Sequence, residues 1–200
     1  MSDLLTNWGY TIENTASLPD LMTVAEFDAL TGNKFAGDAR VSSLLASAQI
    51  TVRNFCGWHL YPSLPCKFEA DSIDVSRCIQ LPSRFVSGVS SVKVHGEEVL
   101  DFHPKTNGLV FLDGSVLGRS WNDVEVKFTS GLGAAQIGAL KEILAGRIAN
   151  ALTNSYGVQS ESAGGVSITY SLNWASHASA ASITDPLIAA LMPYKVQEVV

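Results

Sequence analysis

The chain lacks any block of basic residues: 13 Lys and Arg stand against 19 Asp and Glu in 200 residues, a net charge of −6. Gripping a phosphate backbone by counterion release takes a basic stripe, so tight nucleic-acid binding is disfavoured. No apolar run approaches the ~20 residues of a membrane span, and the start, MSDLLTNWGY, has neither a basic beginning nor an apolar signal core. That pattern predicts a soluble chain made in the cytoplasm, with no membrane partner. Cysteine is scarce and odd in number: Cys56, Cys66 and Cys78 are widely spaced with no C-x-x-C, so they read as buried thiols rather than a disulfide framework or zinc site.

Signatures of chemistry are missing too. His59, His95, His103 and His177 show no metal-ligand spacing such as H-x-x-x-H, and no G-x-S-x-G accompanies the many serines. Gly131-Leu132-Gly133 stands before a helix but lacks the lysine and further glycine of a phosphate cradle, so it reads as a strand-to-helix joint. The carboxylates Glu97-Glu98 and Asp71 to Asp74 fall at polar turns and read as a solvated face. No catalytic, cofactor-binding or metal-binding residue is assigned, no cofactor is expected, and no internal repeat of 20–50 residues is found.

What is present begins with the stretch DARVSSLLASAQITVRNFCGWHLYP. Asp38 suits an N-cap, Val41, Leu44, Leu45, Ala48, Val52 and Phe55 make one apolar stripe, and Gly57 suits the left-handed turn that closes a helix. Trp58, Leu60 and Tyr61 continue as an apolar exit halted by Pro62. A second stripe, Ile137, Leu140, Leu144, Ile148, Ala151 and Leu152, predicts a helix over 134–156 that packs on the first and makes the core. Thr23-Val24-Ala25-Glu26 is a capping box opening a short helix with Val24, Phe27 and Leu30 on one side. Asp185-Pro186 opens another, with Leu187, Ile188, Leu191 and Met192 as its face.

Between the long helices the period becomes two. Ile79 and Leu81, Val92 and Val94, Val99 and Phe102, Leu109 and Phe111, and Val124, Val126 and Phe128 sit in short segments, with tight turns at His95-Gly96-Glu97 and Asn107-Gly108. The fold class is α+β: a small helical bundle of two long helices plus short N- and C-terminal helices, with an inserted antiparallel β module. Its parts are an N-terminal arm (1–21), a helical core (22–62 and 132–157), the β module (63–131), a loop and lone strand (158–184), and a C-terminal helix and tail (185–200). Trp8 and Tyr10 anchor the arm on this subunit's own core or on a neighbour. Val166, Ile168 and Tyr170 alternate as a strand with no hairpin mate in sequence, one that must pair with something distant.

The order of elements, with the helix exit Cys56 to Pro62, Leu81-Pro82 leading to the Ser90 to Gly96 hairpin, and Glu161 with Gly164-Gly165 before Tyr170, resembles the head-to-tail adaptor (connector) proteins of long-tailed bacteriophages, in their larger form with a β module between the main helices. The resemblance spans about residues 22–195. It implies a non-enzymatic virion protein at the head-tail interface: a ring, usually of twelve subunits, beneath the portal protein, offering its far side to the next neck or tail-completion protein. Genomic DNA passes through such a ring without sequence-specific binding, and an acidic wall suits that passage. The family's C-terminal segment reaches the portal, which maps here onto Leu187, Leu191, Pro193, Tyr194, Lys195 and Val196. A ring also needs two different complementary patches per subunit, for which Val166, Ile168, Tyr170 and Trp8 are the candidate subunit contacts. The alternatives are another neck component, a stopper or tail-completion protein, and, from a different class, a carbohydrate-binding module or enzyme built on the β insertion.

Overall fold

Local chemistry places each helix. Thr23 caps α1 (Val24–Leu30) with a full capping box, its hydroxyl accepting from the Glu26 N–H while the Glu26 carboxylate accepts from the Thr23 N–H. Asp38 starts α2 (Arg40–Cys56): its Oδ1 accepts from the Arg40 N–H at 2.9 Å and its carboxylate receives the Arg40 guanidinium as well. Gly57, at φ +77°, turns the chain out of the helix, with its N–H donating to Arg53 O at 2.8 Å. The computed structural model describes residues 3–72, 77–113, 120–153, 160–163, 166–169 and 186–196, and the chain divides into two compact units.

The first unit comprises Met1–Leu21, Arg53–Ile137 and Tyr194–Val200. Its strands are β1 (Leu4–Leu5), β2 (Tyr10–Ile12), β3 (Leu64–Ser72), β4 (Cys78–Gln80), β5 (Val86–Val94), β6 (Glu97–Glu98), β7 (Phe102–Pro104), β8 (Leu109–Leu112) and β9 (Ser120–Ser130). They form a six-stranded sheet, β1-β2-β3-β9-β5-β6, and a three-stranded sheet, β4-β8-β7, with every pairing antiparallel. One face of the large sheet is apolar, with Tyr10, Ile12, Cys66, Val92, Val126 and Phe128 buried. The other face carries ion pairs, Lys67 to Glu69 at 3.0 Å, Lys93 to Glu125 at 3.2 Å and Lys127 to Glu13 at 3.4 Å, which in such exposed positions contribute little to stability. The His95-Gly96 turn joins β5 to β6 with both residues at positive φ, as a two-residue hairpin demands.

The second unit comprises Met22–Val52 and Gly138–Pro193. It holds α1, most of α2, α3 (Gly138–Thr153), the hairpin of β10 (Ser160–Ala163) and β11 (Val166–Thr169), and α4 (Pro186–Leu191). Lys141 on α3 donates to Glu26 on α1 at 2.5 Å, which with the cap draws the Glu26 carboxyl below its ordinary range. The buried Gln49 amide oxygen accepts from the Met22 N–H at 3.2 Å, tying the entry of α1 to α2.

The α+β class holds, and the sheets are substantial beside the helices. Among the described residues α3 packs chiefly against α1 and α4 rather than against α2. Two sequence stripes of equal period say that each helix has an apolar face, and nothing about which surface covers it. The helix expected from 134 begins at Gly138, because the Gln136 side chain accepts from the Gly133 N–H and holds the intervening residues in a turn. On α1 only Phe27 is buried: over seven residues, steps of three drift around the axis, leaving Val24 and Leu30 outside. The expected alternation of Leu109 and Phe111 is reversed, with Val110 and Leu112 buried and Phe111 exposed. Four consecutive apolar residues carry no phase; the pairing Ile79↔Val110 supplies it.

Gly131 stands at φ +133°, and a Cβ there would collide with the Pro62 carbonyl and Ser63 backbone, while its neighbour Leu132 N–H donates to Leu60 O at 2.7 Å. Gly131→Ala is therefore expected to destabilise the protein by about 2–4 kcal/mol, read as a shift of the denaturant midpoint. A loss below about 0.5 kcal/mol would show that this joint yields freely.

Candidate interaction site

The exit of α2 carries a buried polar network. Trp58, His59 and Leu60 are each fully buried. The His59 Nε2 lies 3.0 Å from Pro62 O and 3.0 Å from Ser130 O, both obligate acceptors, so Nε2 carries the proton. Nδ1 is then the acceptor for the Tyr10 O–H at 2.7 Å, and the Tyr10 oxygen accepts in turn from the His59 N–H at 3.0 Å. Burial pulls the imidazole pKa down to about 4, against the opposing pull of its two carbonyl partners, so the ring is neutral near pH 7. Burial likewise raises the Tyr10 phenol.

Arg53, on the last turn of α2, closes the other side. Its Nε donates to His59 O at 3.0 Å, and its Nη2 donates to Pro19 O and, at 3.4 Å, to Tyr61 O. The N-terminal segment is thus held twice, by Tyr10 and by Pro19. The Cys56 and Cys66 thiols are pushed up to about 12 by burial, far from the thiolate range in which cysteine reacts. Among the described residues no group of three or more His, Cys, Asp and Glu is placed to hold a metal ion, and no helix is long and apolar enough to cross a membrane. A close His–carboxylate pair, His103 to Asp113 at 2.7 Å, is exposed on both sides.

The C-terminal candidates separate between the units. Leu191 is buried on α4, where Leu187 also lies, and Pro193 is exposed in the turn Met192–Tyr194. Tyr194, Lys195 and Val196 come together on the α2 exit: Tyr194 O accepts from Trp58 Nε1 at 2.7 Å, Lys195 Nζ stands 5.6 Å over the Phe55 ring, and the Val196 N–H donates to Cys56 O at 2.9 Å. Trp8 is half-buried, its ring 6.3 Å from that of Tyr10. Of the subunit-contact candidates, Tyr170 lies outside the described residues, while Val166 and Ile168 belong to β11. The expectation of a lone strand there is corrected: β11 pairs antiparallel with β10, Ala163 opposite Val166 and Glu161 opposite Ile168. The sequence places Gly164-Gly165 between them, a hairpin signal, but Ser160-Glu161-Ser162-Ala163 lacks the apolar alternation that marks a strand.

The pattern search did not single out Tyr10, Arg53 and His59 as one group. The available signals were a histidine inside the apolar run WHLYP and an arginine at the end of an apolar helical stripe, each of which demands buried partners if it goes inside.

No family model matches this chain, and no curated protein matches it. Solved structures do. The chain is similar to one from the neck of an empty gene transfer agent (GTA) particle computed with C6 symmetry, at TM-score 0.55 and 21% identity over 94% of this chain and 97% of that one. It is also similar to a chain of the virion of the native gene transfer agent particle, at TM-score 0.58 and 17% identity over 94% and 97% respectively. These likenesses establish a shared fold along nearly the whole chain.

Because folding depresses the His59 pKa from 6.5 to about 4, the unfolded chain takes up the proton first as pH falls. Stability is expected to be full above pH 6.5 and to decline by about 3 kcal/mol in total as pH drops toward 4, read from denaturant midpoints. Tyr10→Phe, which leaves the Nδ1 and His59 N–H unpaired, should cost about 1–3 kcal/mol at neutral pH. A pH profile in this window no steeper for the natural chain than for His59→Gln would count against the neutral buried ring.

Proposed function

We propose that this chain is a structural neck component of a phage-like particle, a head-to-tail adaptor that forms a ring beneath the portal and links the filled head to the neck or tail around the DNA passage. The observation that carries the reading is the fold shared end to end with a chain from the neck of a gene transfer agent particle. The order of motifs in the sequence supports it independently. The ring reading draws on the C6 symmetry of that neck and on the resemblance, which implies twelve copies. The chemistry is consistent with a non-enzyme: the buried His59 ring is neutral, and its donors and acceptors are spent on backbone groups and on Tyr10.

In this reading the C-terminal segment, with the exposed Met192 and Pro193 leading into Tyr194 to Val196, is the portal-facing element, and the net charge of −6 lets duplex DNA slide past. A second reading, a stopper or tail-completion ring of the same neck, is favoured by one observation, the large share of β structure. The two differ in which neighbour the chain meets first.

Particles made without this chain are expected to accumulate as DNA-filled heads and unjoined tails, and adding the purified chain should restore joining. Direct capture of the chain by portal-bearing heads, in the absence of every other neck protein, is the adaptor's signature; capture only after another neck protein has bound marks the stopper. A chain truncated after Pro193 loses two hydrogen bonds at the α2 exit, should stay folded by circular dichroism, and should no longer join heads. Normal infectivity without the chain would sink both readings.

A further inference from the structure

Among the described residues the large sheet ends in two edge strands. β1 and β6 close opposite ends of the order β1-β2-β3-β9-β5-β6, and because six antiparallel strands alternate, the two edges run in opposite directions. A second copy added end to end therefore continues the sheet in antiparallel sense. At the β1 edge the Thr6 N–H donates to Tyr10 O at 3.2 Å, so the peptide groups of Leu5, one residue back, point out of the sheet. At the β6 edge the Val99 N–H donates to Val92 O at 2.9 Å, so those of Glu98 and Leu100 point outward.

The side chains agree with the backbone. Leu5 and Leu100 have the highest exposure among the large apolar side chains described, 81% and 82%. They belong to one row on one face: Leu5 lies opposite Thr11, Thr11 opposite Lys67, Lys67 opposite Lys127 and Lys127 opposite Ser91. Leu100, next after Val99 in its pairing with Val92, stands beside Ser91. Each end of that row is thus a leucine with outward-facing peptide groups. Exposed acidic residues are a usual guard on sheet edges, and Glu97-Glu98 guards most of β6, but Leu100 lies just past the guard.

We infer that Leu5 at the β1 edge of one copy pairs with Leu100 at the β6 edge of the next, so that the large sheet runs on from subunit to subunit. The occupant of each edge is a second copy of this chain. The contact is heterologous, since the two edges differ, which is what a closed ring demands. It is short, one bonded pair of residues with leucine on leucine, and it sets register and direction rather than supplying the whole interface. This rests on the ring-forming reading above and adds to it which surfaces meet.

Cysteine cross-linking in the full-length chain tests it, with Cys78→Ser removing the half-buried thiol. A bonded antiparallel pair places Cα atoms ~5.5 Å apart, within disulfide reach. Oxidation of the double variant Leu5→Cys with Leu100→Cys should give a ladder of covalent multimers. A mixture of the two single variants should stop at a covalent dimer, and each single variant alone should give none. As a second reading that does not depend on cross-linking, Leu100→Glu should raise the concentration needed for self-assembly by native mass at least tenfold. Dimers from one single variant alone, a ring that forms without the ladder, or a chain that is monomeric at every concentration would each overturn the inference. The head-joining assay is read separately: joining without a ladder leaves the neck reading standing and removes this one, and a ladder from a chain dispensable for joining does the reverse.

Discussion

A neutral imidazole with no access to water has to find a donor for one nitrogen and acceptors for the other, and His59 finds them in three separate stretches of chain. Its Nδ1 takes the Tyr10 hydroxyl from the N-terminal segment, and its Nε2 reaches the carbonyls of Pro62 and Ser130. An unsatisfied buried polar group costs about as much as a good fraction of a domain's net stability, so these partners are held together or the ring comes out into water. Arg53 adds the same logic with a cation, spending its donors on the carbonyls of Pro19, His59 and Tyr61. The course of the N-terminal segment, the end of β9 and the turn after α2 are mutually fixed by this one constraint. It also leaves both nitrogens of this conspicuous histidine committed to protein partners, with burial holding its pKa low.

Beside that knot the chain's far end is attached by two bonds. Tyr194 O and Val196 N–H engage the Trp58 indole and Cys56 O, and the Lys195 ammonium stands over the Phe55 ring. This seam joins both terminal segments of the chain to the same helix exit. The sheet edges follow a related economy. Backbone groups supply the generic attraction, while the few exposed apolar side chains select direction and register, and acidic residues on the remaining edge discourage other pairings.

How the chain would divide into helix and β structure was legible from its periodicity. The capping box at Thr23 and Glu26, the Gly57 stop and the His95-Gly96 hairpin each followed from chemistry within a few residues, and each is where the pattern put it. Elements whose identity or phase depends on a partner strand were not legible. Ser160 to Ala163 has no alternation and is a strand because β11 is beside it. Leu109 to Leu112 is apolar throughout, and only the register with β4 decides which pair goes inside.

The amino-acid order by itself determined the class of the fold, the position of its capped helices and tight turns, and the net charge of −6, because all of these depend on interactions within a turn or two of chain or on summed charge. Tertiary structure alone decided that the first strands join the large sheet, that α3 packs on α1 and α4, and that Tyr10, Arg53 and His59 form one network. The reason is that a periodic stripe specifies a face but not its complement, and that hydrogen bonds spanning 49 and 71 residues, such as those of His59 to Tyr10 and Ser130, leave no periodic trace in the order of residues.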